Sequence, residues 1–466
     1  MTQSPHIEKL VLFTLEIASV SSYPKLRTPN PTPFSGNPMS RFTIRGGRRI
    51  TGTHAVSGNK NAALPMLAAA LLTDEPVTLT NLPLIQDVRT MLELIDAMGV
   101  AVSLDETART VTLHARRIRS TTLDRALCGR VRSSILFAGP LLARCGAARI
   151  YPPGGDVIGR RRVDTHLDGL RKLGATACAN GCYAFKAAKG LAGARILLDE
   201  ASVTATENIL MAAVRARGRT TLYNAACEPH VQDLCHLLNT MGAAISGVGT
   251  NLLVIDGVER LHGVTHAIGP DTIEAGSYIA AALATGGELT LTGISASDFE
   301  VLERPFHRFG ARWTISGTTL QLPGNQKLRT TYDLGDAIPK IEDGPWPAFP
   351  SDLMSVLIVL ATQTRGTTLF YEKMFESRMY FVDHLIGMGA RIVQCDPHRV
   401  VVTGPTRLQG TRVVSPDIRA GMALLIAALC ARKETVILNA ESVDRGYERI
   451  DTTLRSLGAA IERTSD

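Results

Sequence analysis

Apolar and polar residues follow a repeating order along this chain, and the repeat occurs six times after residue 41. In each copy, apolar residues at helical spacing end at a glycine, and a short strand-like alternation follows. A glycine directly after the last periodic residue is typical of a helix that ends in the left-handed conformation. The pattern predicts six such helix ends, separated by 68 to 79 residues, at Gly99, Gly174, Gly242, Gly310, Gly389 and Gly458.

A second pattern lies upstream of most of these helices. Alanine-rich segments at 61–72, 275–286 and 420–431 are apolar on nearly every side, so they predict helices buried in a core. Each unit of about 70 residues therefore predicts the order helix, strand, helix, strand, and the six units divide naturally into two sets of three. The β-branched strands of this pattern are predicted at 75–81, 218–224, 287–293, 366–372 and 434–440.

Residues 1–40 do not share the repeat. The apolar stretch at 10–20 contains Glu16 and no basic segment precedes it, which argues against a secretory signal. Residues 24–38 hold five prolines without periodicity, a composition typical of extended linkers. We therefore expect 1–40 to be a disordered N-terminal extension.

Composition and charge disfavour several classes of protein. The chain is 45% hydrophobic and 20% charged, and no apolar run reaches the roughly 18 residues of a spanning helix, so we expect no membrane insertion. A net charge of +7 suits anionic small molecules as readily as nucleic acid. Because only 5% of residues are aromatic and the arginines are dispersed, we expect no nucleic-acid partner. Eight cysteines without a CxxC pair predict reduced thiols and a cytoplasmic location.

The motifs of common cofactor and metal chemistry are missing from the sequence. It contains no GxxxxGK[ST] phosphate loop, no GxGxxG after a predicted strand and no HExxH zinc motif. We therefore expect neither a cofactor nor a metal.

Positive side chains at the starts of apolar helices are the first candidates for chemistry. Lys60 follows a glycine turn and precedes an alanine-rich helix, and a lysine at a helix N-terminus favours an anion. Arg132 precedes an apolar helix in the same way, and for it a ligand and ordinary helix-end solvation stay equally open. Arg378, Arg419 and Arg445 lie in or before elements predicted to be buried. Because unpaired buried charges are costly, the set predicts one pocket for anionic ligands.

Two further segments carry acidic candidates. In YPPGGDVIGRRRV, prolines and glycines predict a loop with Asp156 at its tip and Arg160–Arg162 after it. Such a loop, at 152–162, indicates a mobile lid that closes on an anion. In FPSDLMSVL, Ser351 or Asp352 begins a helix, and Asp352 taken alone is more typical of an N-cap than of a catalytic residue.

Several segments together resemble one family. They are SGNKNAALP, PGGDVIGRRRVDTHLDGLRKLGA, SVTATENILMAA, FPSD, DIRAG and DRGYERI. In this order they are similar to the UDP-N-acetylglucosamine 1-carboxyvinyltransferases, a family of enolpyruvyl transferases, from about Arg41 to the C-terminus. The resemblance implies an α/β fold, a two-lobed inside-out α/β barrel of six βαβαββ-type units. It also implies a first lobe of 41–59 plus 269–466 and a second lobe of 60–268, which carries the mobile loop 152–162.

The resemblance also implies a reaction. Members of this family transfer the enolpyruvyl group of phosphoenolpyruvate to the 3-hydroxyl of UDP-N-acetylglucosamine, release phosphate, and so begin peptidoglycan precursor synthesis. By the same likeness, Asp352 accepts the proton of the sugar hydroxyl, while Lys60, Asp156 and Arg445 complete the catalytic set. The residues that the likeness assigns to substrate binding are Lys60, Asn61, Arg132, Arg161, Arg162, Val163, Asp164, Thr165, Glu200, Ala201, Ser202, Val203, Asp352, Met374, Arg378 and Arg419.

Five positions depart from the family pattern. Asp156 stands where most members have a cysteine; a carboxylic acid can donate a proton if its pKa is raised, but it does not readily form a thiol-type adduct. Arg162 replaces a usual proline, His230 a usual acid, Trp346 a usual histidine or tyrosine, and Ser377 a usual asparagine. These departures leave open two alternatives: an enolpyruvyl transferase with another acceptor, such as shikimate 3-phosphate, or a regulatory paralogue that binds the UDP-sugar without turnover.

Overall fold

Strands and helices alternate through most of the chain in the computed structural model, which describes residues 40–156 and 158–465. The strands are β1 (Ser40–Arg45), β2 (Gly52–Ala55), β3 (Pro76–Thr80), β4 (Ala101–Asp105), β5 (Thr110–His114), β6 (Ala147–Ile150), β7 (Thr176–Ala179), β8 (Tyr183–Lys186), β9 (Arg195–Leu197), β10 (Arg219–Tyr223), β11 (Ala244–Ser246), β12 (Leu252–Asp256), β13 (Val264–Ala267), β14 (Leu289–Thr292), β15 (Thr314–Ser316), β16 (Thr319–Leu322), β17 (Lys340–Glu342), β18 (Gly366–Tyr371), β19 (Arg391–Asp396), β20 (Arg399–Gly404), β21 (Arg412–Val414), β22 (Glu434–Leu438) and β23 (Ala460–Ser465).

The helices lie between these strands. They are α1 (Lys60–Ala69), α2 (Gln86–Ala97), α3 (Arg125–Cys128), α4 (Ala138–Cys145), α5 (Asp164–Lys172), α6 (Val203–Ala213), α7 (Pro229–Thr240), α8 (Thr272–Thr285), α9 (Ala296–His307), α10 (Ser351–Gln363), α11 (Val382–Gly387), α12 (Ile418–Cys430), α13 (Glu441–Asp444) and α14 (Ile450–Ser456). Short 3₁₀ segments occur at Ala70–Leu72, Arg132–Phe137 and Leu334–Asp336. Within the described residues, no helix is long and apolar enough to cross a membrane.

The six predicted helix ends are confirmed. The glycines after α2, α5, α7, α9, α11 and α14 all have positive φ, between 76° and 99°, a region where a side chain would be strained. A strand begins within four residues of each of them. At each of these left-handed glycines, the chain therefore leaves an amphipathic helix and turns towards the strand that follows.

The sheets repeat one plan. Among the described residues, five sheets have four strands, in the orders β13-β3-β5-β4, β11-β12-β10-β9, β15-β16-β14-β2, β17-β18-β20-β19 and β21-β22-β1-β23, and a sixth has the order β6-β8-β7. In each four-stranded sheet, one edge strand pairs in parallel and the other neighbours pair antiparallel. A parallel bridge between Thr122 and Arg149 stands at the corresponding edge of the sixth sheet.

The predicted N-terminal extension, 1–40, is one residue too long, because Ser40 belongs to strand β1. Ser40 already pairs with Ser465 in β23, and its hydroxyl donates to Glu441 Oε2 at 2.8 Å. Strand β1 lies between β22 and β23 and so completes the last sheet with the first residues of the repeat region. The remainder of the predicted extension, 1–39, lies outside the described residues.

Two hydrophobic cores divide the described chain. One is built from buried residues between 62 and 268, and the other from buried residues between 42 and 56 and between 273 and 461. Helices α1, α8 and α12 are buried on nearly every side, as their alanine-rich sequences predict. The residue boundaries assigned above to the two lobes stay predictions.

The chain passes between the two cores twice, and the two passages run side by side. Asn59 N donates to Gly269 O at 2.7 Å, and Asp271 N donates to Ser57 O at 2.9 Å. Asp271 also accepts a hydrogen bond from Lys60 N, at 3.1 Å. The start of α1 is therefore fixed to the start of α8 at the junction of the cores.

Candidate functional site

Six helical segments, one from each repeat, begin around a cleft between the two cores. The first backbone N–H groups of a helix have no partner inside it, and this end of the helix carries a partial positive charge. These helix starts therefore add partial positive charge around the cleft. The residues at these helix starts that line the cleft are Lys60 of α1, Arg132 of the 3₁₀ segment, Val203 of α6, Thr272 of α8, Ser351 of α10 and Ile418 of α12.

A chain of ion pairs crosses one side of the cleft. Asp87 accepts from Lys60 Nζ at 2.8 Å and from Arg445 Nε at 3.0 Å, and Arg445 Nη1 reaches Asp156 Oδ1 at 2.6 Å. Burial alone would raise the pKa of Asp87, but the charges of Lys60 and Arg445 lower it below its ordinary value. We call Lys60, Asp87, Asp156 and Arg445 the Asp87 cluster; it joins residues that are far apart in sequence.

Asp352 is the centre of a second cluster. It is the second residue of α10, and its two carboxylate oxygens accept from Arg378 Nη2 at 3.0 Å and Arg419 Nη2 at 2.7 Å. Burial opposes ionisation, but the charges of Arg419 and Arg378 lower the pKa of Asp352 well below its usual range, so its carboxylate is ionised at neutral pH. The expectation that Asp352 caps the helix is wrong, because its side chain is turned to these arginines. We call Asp352, Arg378 and Arg419 the Asp352 cluster.

Arg132 and Arg161 differ from the other cations of the cleft. Within the described residues, neither forms an ion pair with a carboxylate; Arg132 Nη2 instead donates to the backbone oxygens of Arg161 at 2.6 Å and Arg162 at 3.2 Å. Burial and the nearby charge of Arg161 lower the pKa of Arg132 to about 10, so its guanidinium is still charged at neutral pH. Burial likewise lowers the pKa of Arg161. These two guanidinium groups leave positive charge available for an anionic ligand.

The loop predicted to be a lid is docked across the cleft. Arg160 N donates to Glu376 Oε2 at 3.1 Å, and Ser377 N donates to Ile158 O at 3.1 Å. With the contact between Asp156 and Arg445, these bonds attach the loop to residues of the other core. The segment that follows α10 and β18 therefore forms the opposite wall of the site.

The structure brings most of the predicted site residues to this cleft. A second group lies beside it, around Asp199: Arg162 Nη2 contacts Asp199 at 3.2 Å and Thr165 Oγ1 donates to it at 2.7 Å. This neighbouring group consists of Arg162, Val163, Asp164, Thr165, Glu200, Ala201 and Ser202. The predicted residues that line the cleft itself are Lys60, Asn61, Arg132, Asp156, Arg161, Val203, Asp352, Met374, Arg378, Arg419 and Arg445.

Asp87 was not predicted from the sequence. It is buried in the first turn of α2, four residues before buried Met91, and so lies on the face that the apolar spacing marks as internal. Because an acid on a buried face needs a cationic partner, an acidic residue on the predicted internal face of α2 was the sequence signal that could have pointed to Asp87.

Three of the departures from the family pattern line the cleft: Asp156, described above, and two further residues. His230, at the start of α7, lies in the cleft with Trp346, and burial lowers the pKa of His230 to about 4. Its imidazole is therefore neutral at physiological pH, so it adds no charge to the cluster of arginines.

Comparisons with known proteins agree with this geometry. The family model of EPSP synthase (3-phosphoshikimate 1-carboxyvinyltransferase) matches residues 44–454. UDP-N-acetylglucosamine 1-carboxyvinyltransferase of Treponema denticola is 52% identical over 91% of this chain and 99% of its own length. The protein of the same name from Bradyrhizobium diazoefficiens is 53% identical over 91% of this chain and 98% of its own length.

A solved structure gives the same result for the fold. The crystal structure of the enolpyruvyl transferase NikO from Streptomyces tendae superposes with a TM-score of 0.82 and 26% identity, over 92% of this chain and 100% of that one. This likeness confirms the predicted fold class, the two-lobed inside-out α/β barrel.

Proposed function

Because the chain belongs to the UDP-N-acetylglucosamine 1-carboxyvinyltransferase family of enolpyruvyl transferases, we propose that it carries out the reaction of that family. It transfers the enolpyruvyl group of phosphoenolpyruvate to the 3-hydroxyl of UDP-N-acetylglucosamine and releases phosphate. The product is a precursor of peptidoglycan, and we assign the enzyme to the cytoplasm. The observation that carries the proposal is the convergence of both ionic clusters on one cleft.

Phosphoenolpyruvate is a small polyanion, and the cleft offers it positive charge of two kinds. In the part of the chain that the structure describes, Arg132 and Arg161 form no ion pair with a carboxylate, so they can bind a phosphate or carboxylate directly. Lys60 and Arg445 are already held by Asp87, which fixes their ammonium and guanidinium groups before the substrate arrives. In our proposal, these four residues surround phosphoenolpyruvate.

The reaction requires a proton to be removed from the sugar hydroxyl and one to be added to the methylene carbon. We assign the first to Asp352, because its ionised carboxylate can accept a hydrogen bond and then the proton. We assign the second to Asp156 at the tip of the loop. Phosphoenolpyruvate competes with Asp156 for Arg445, since both are anions, so binding of the substrate frees the Asp156 carboxylate to take up a proton from solvent. Asp156 then gives this proton to the methylene carbon as the sugar oxygen adds, and takes one back from the resulting methyl group as phosphate leaves and the double bond re-forms.

The nucleotide half of the acceptor needs a second surface. We assign it to the group around Asp199, at 162–165 and 200–203, together with Asn61 and Met374. These residues continue from the cleft along the start of α5 and α6, where backbone N–H groups suit a diphosphate. We also propose that 41–59 plus 269–466 and 60–268 form the two lobes that close around both substrates.

A coupled phosphate-release assay tests the function. With phosphoenolpyruvate and UDP-N-acetylglucosamine, we expect steady turnover that Asp352→Asn removes. With shikimate 3-phosphate as the acceptor, we expect no phosphate above background. Turnover with shikimate 3-phosphate alone would assign another acceptor, and binding of the UDP-sugar without phosphate release would indicate a regulatory protein.

A further inference from the structure

A pair of buried carboxyl groups lies behind the Asp352 cluster. Glu372 follows β18 and Asp343 follows β17, and both residues are 0% exposed. In the parallel pair of β17 and β18, Glu342 lies opposite Tyr371, so Asp343 and Glu372, the next residue of each segment, leave the sheet side by side. Asp343 Oδ1 accepts from Lys373 N at 2.5 Å, but Asp343 Oδ2 has no hydrogen-bond donor among the residues that the structure describes. A buried oxygen without a donor is costly, so the pair calls for a hydrogen that neither carboxylate has when both are ionised.

One shared proton resolves this arrangement. If Glu372 is a neutral carboxylic acid, its O–H can donate to Asp343 Oδ2, and the pair carries one negative charge in place of two. Burial, together with the hydrogen bond and the charge of Asp343, raises the pKa of Glu372 far above its usual range. The remaining negative charge lies near the buried guanidinium of Arg378, which has 3% exposure.

The pair contacts both segments that carry the Asp352 cluster. Ser351, the residue before Asp352, directs its hydroxyl to the two oxygens of Glu372, at 2.9 Å each. On the other side, Phe375 N donates to Glu372 Oε1 at 3.2 Å, and the Phe375 ring lies 5.1 Å from the Arg378 guanidinium. Glu372 therefore connects the first turn of α10 with the segment that presents Arg378.

We propose that Glu372 and Asp343 share one proton and act as a positioning pair, which holds Asp352 and Arg378 in their reactive arrangement. This inference rests on the proposed function and adds a pH limit to it. Loss of the shared proton places two negative charges beside Arg378, draws this guanidinium away from Asp352, and stops the reaction on the alkaline side of neutrality.

Other ionisable groups face the pair and must be distinguished from it. Arg378 and Asp352 approach from the cleft, and the Glu372 backbone exchanges hydrogen bonds with His398 at 2.7 and 2.8 Å. Lys373 pairs with Glu342 at 3.1 Å on the exposed side. The ring of Tyr371 lies 5.8 Å from the cationic groups of both Lys373 and Arg399.

The pH profile of kcat is the first test. In the wild type, we expect kcat to fall above neutral pH with the loss of one proton. Glu372→Gln keeps the shape of the side chain and leaves one negative charge on Asp343. This variant should retain most of the kcat measured at neutral pH, and its kcat should not fall at alkaline pH. Asp343→Asn also leaves one charge, now on Glu372, and should behave alike. The matched control is Glu342→Gln, at a partly exposed carboxylate next to Asp343, and it should keep the wild-type profile.

The double variant Asp343→Asn/Glu372→Gln provides a sharper outcome. It removes the last negative charge from the buried pair beside Arg378. We therefore expect kcat at neutral pH to fall in the double variant, although it does not fall in either single variant. An unchanged alkaline fall in both single variants would overturn the proposal. So would a lowered melting temperature in those variants with no change in the profile, because that result assigns the pair a structural role only.

A measurement without substrate separates this proposal from the proposed function. The folded-state pKa of Glu372 is raised, so its contribution to stability is complete below the ordinary carboxyl pKa and is lost progressively as pH rises to the folded value. We expect the melting temperature of Glu372→Gln, relative to wild type, to increase with pH over this interval. A constant difference would refute the shared proton whether or not the protein turns over substrate.

Discussion

Asp87 and Asp352 are built into similar ionic clusters but differ in exposure. Each carboxylate holds two cationic groups, at 2.8 and 3.0 Å around Asp87 and at 2.7 and 3.0 Å around Asp352. The Asp87 side chain is 6% exposed, whereas that of Asp352 is 27% exposed. The comparison teaches that an enclosed carboxylate can only hold its cations, while an accessible one can also receive a ligand.

The largest expected effect is the loss of turnover in Asp352→Asn. An amide cannot take the proton of the sugar hydroxyl, so kcat should fall by about 10²- to 10⁴-fold. Phosphate release at saturating concentrations of both substrates measures it. The matched control is Asp168→Asn, an exposed carboxylate paired with Arg171, which should keep the wild-type kcat. A kcat for Asp352→Asn within about threefold of wild type would contradict the assignment.

The next effect is on folding, in Asp87→Asn. Removing the charge leaves Lys60 and Arg445 without their shared partner, so the free energy of unfolding should fall by about 3 kcal/mol. Because the pKa of Asp87 is lowered, its stabilising effect is present above the ordinary carboxyl pKa and is lost as pH falls below it.

Denaturant titration of both proteins at neutral and acidic pH measures this loss. The difference between wild type and Asp87→Asn should shrink in acid. A difference that is the same at both pH values would show that Asp87 stabilises the fold through something other than its charge.

A smaller effect should follow in Arg132→Gln. This variant removes a guanidinium available to the phosphate, and a hydrogen bond to a charged group is worth about 1.5–3 kcal/mol, so kcat/KM for phosphoenolpyruvate should fall by about 10- to 100-fold. Arg130→Gln is the control, because Arg130 is exposed and paired with Glu93 at 3.4 Å. Equal losses in both variants would mean that general charge, and not the position of Arg132, attracts the substrate.

The smallest expected effect is that of a thiol-alkylating epoxide on the wild type, which it should not inactivate. Asp156 is a carboxylate paired with Arg445, so a thiol-alkylating epoxide should leave the activity of the wild type unchanged. Asp156→Cys provides the missing thiol and should form a covalent adduct that mass spectrometry locates at residue 156. Labelling of Asp156 itself in the wild type would show that the carboxylate is a nucleophile in this cleft.

Local sequence signals predicted the repeat well. A glycine after helical periodicity fixes the backbone locally, and so the ends at Gly99 and Gly458 could be placed without any tertiary information. The same holds for Lys60, whose place before an alanine-rich helix marks a buried helix start. The likeness to a known family then supplied which of the dispersed arginines belong together.

Contacts between distant residues could not be predicted in this way. Asp87 and Arg445 are 358 positions apart, and their pairing depends on how the two cores meet. The capping role expected for Asp352 failed for the same reason, since Arg378 and Arg419 outcompete the local backbone for its carboxylate. The pairing of Asp343 with Glu372 likewise follows from the adjacency of β17 and β18 in a sheet.

The two side-by-side passages of the chain have a mechanical consequence. When one rigid body rotates on another, atoms near the pivot travel least and those far from it travel most. Lys60 lies beside the covalent connections at 57–60 and 268–271, so it would stay close to the pivot of any rotation of one core on the other.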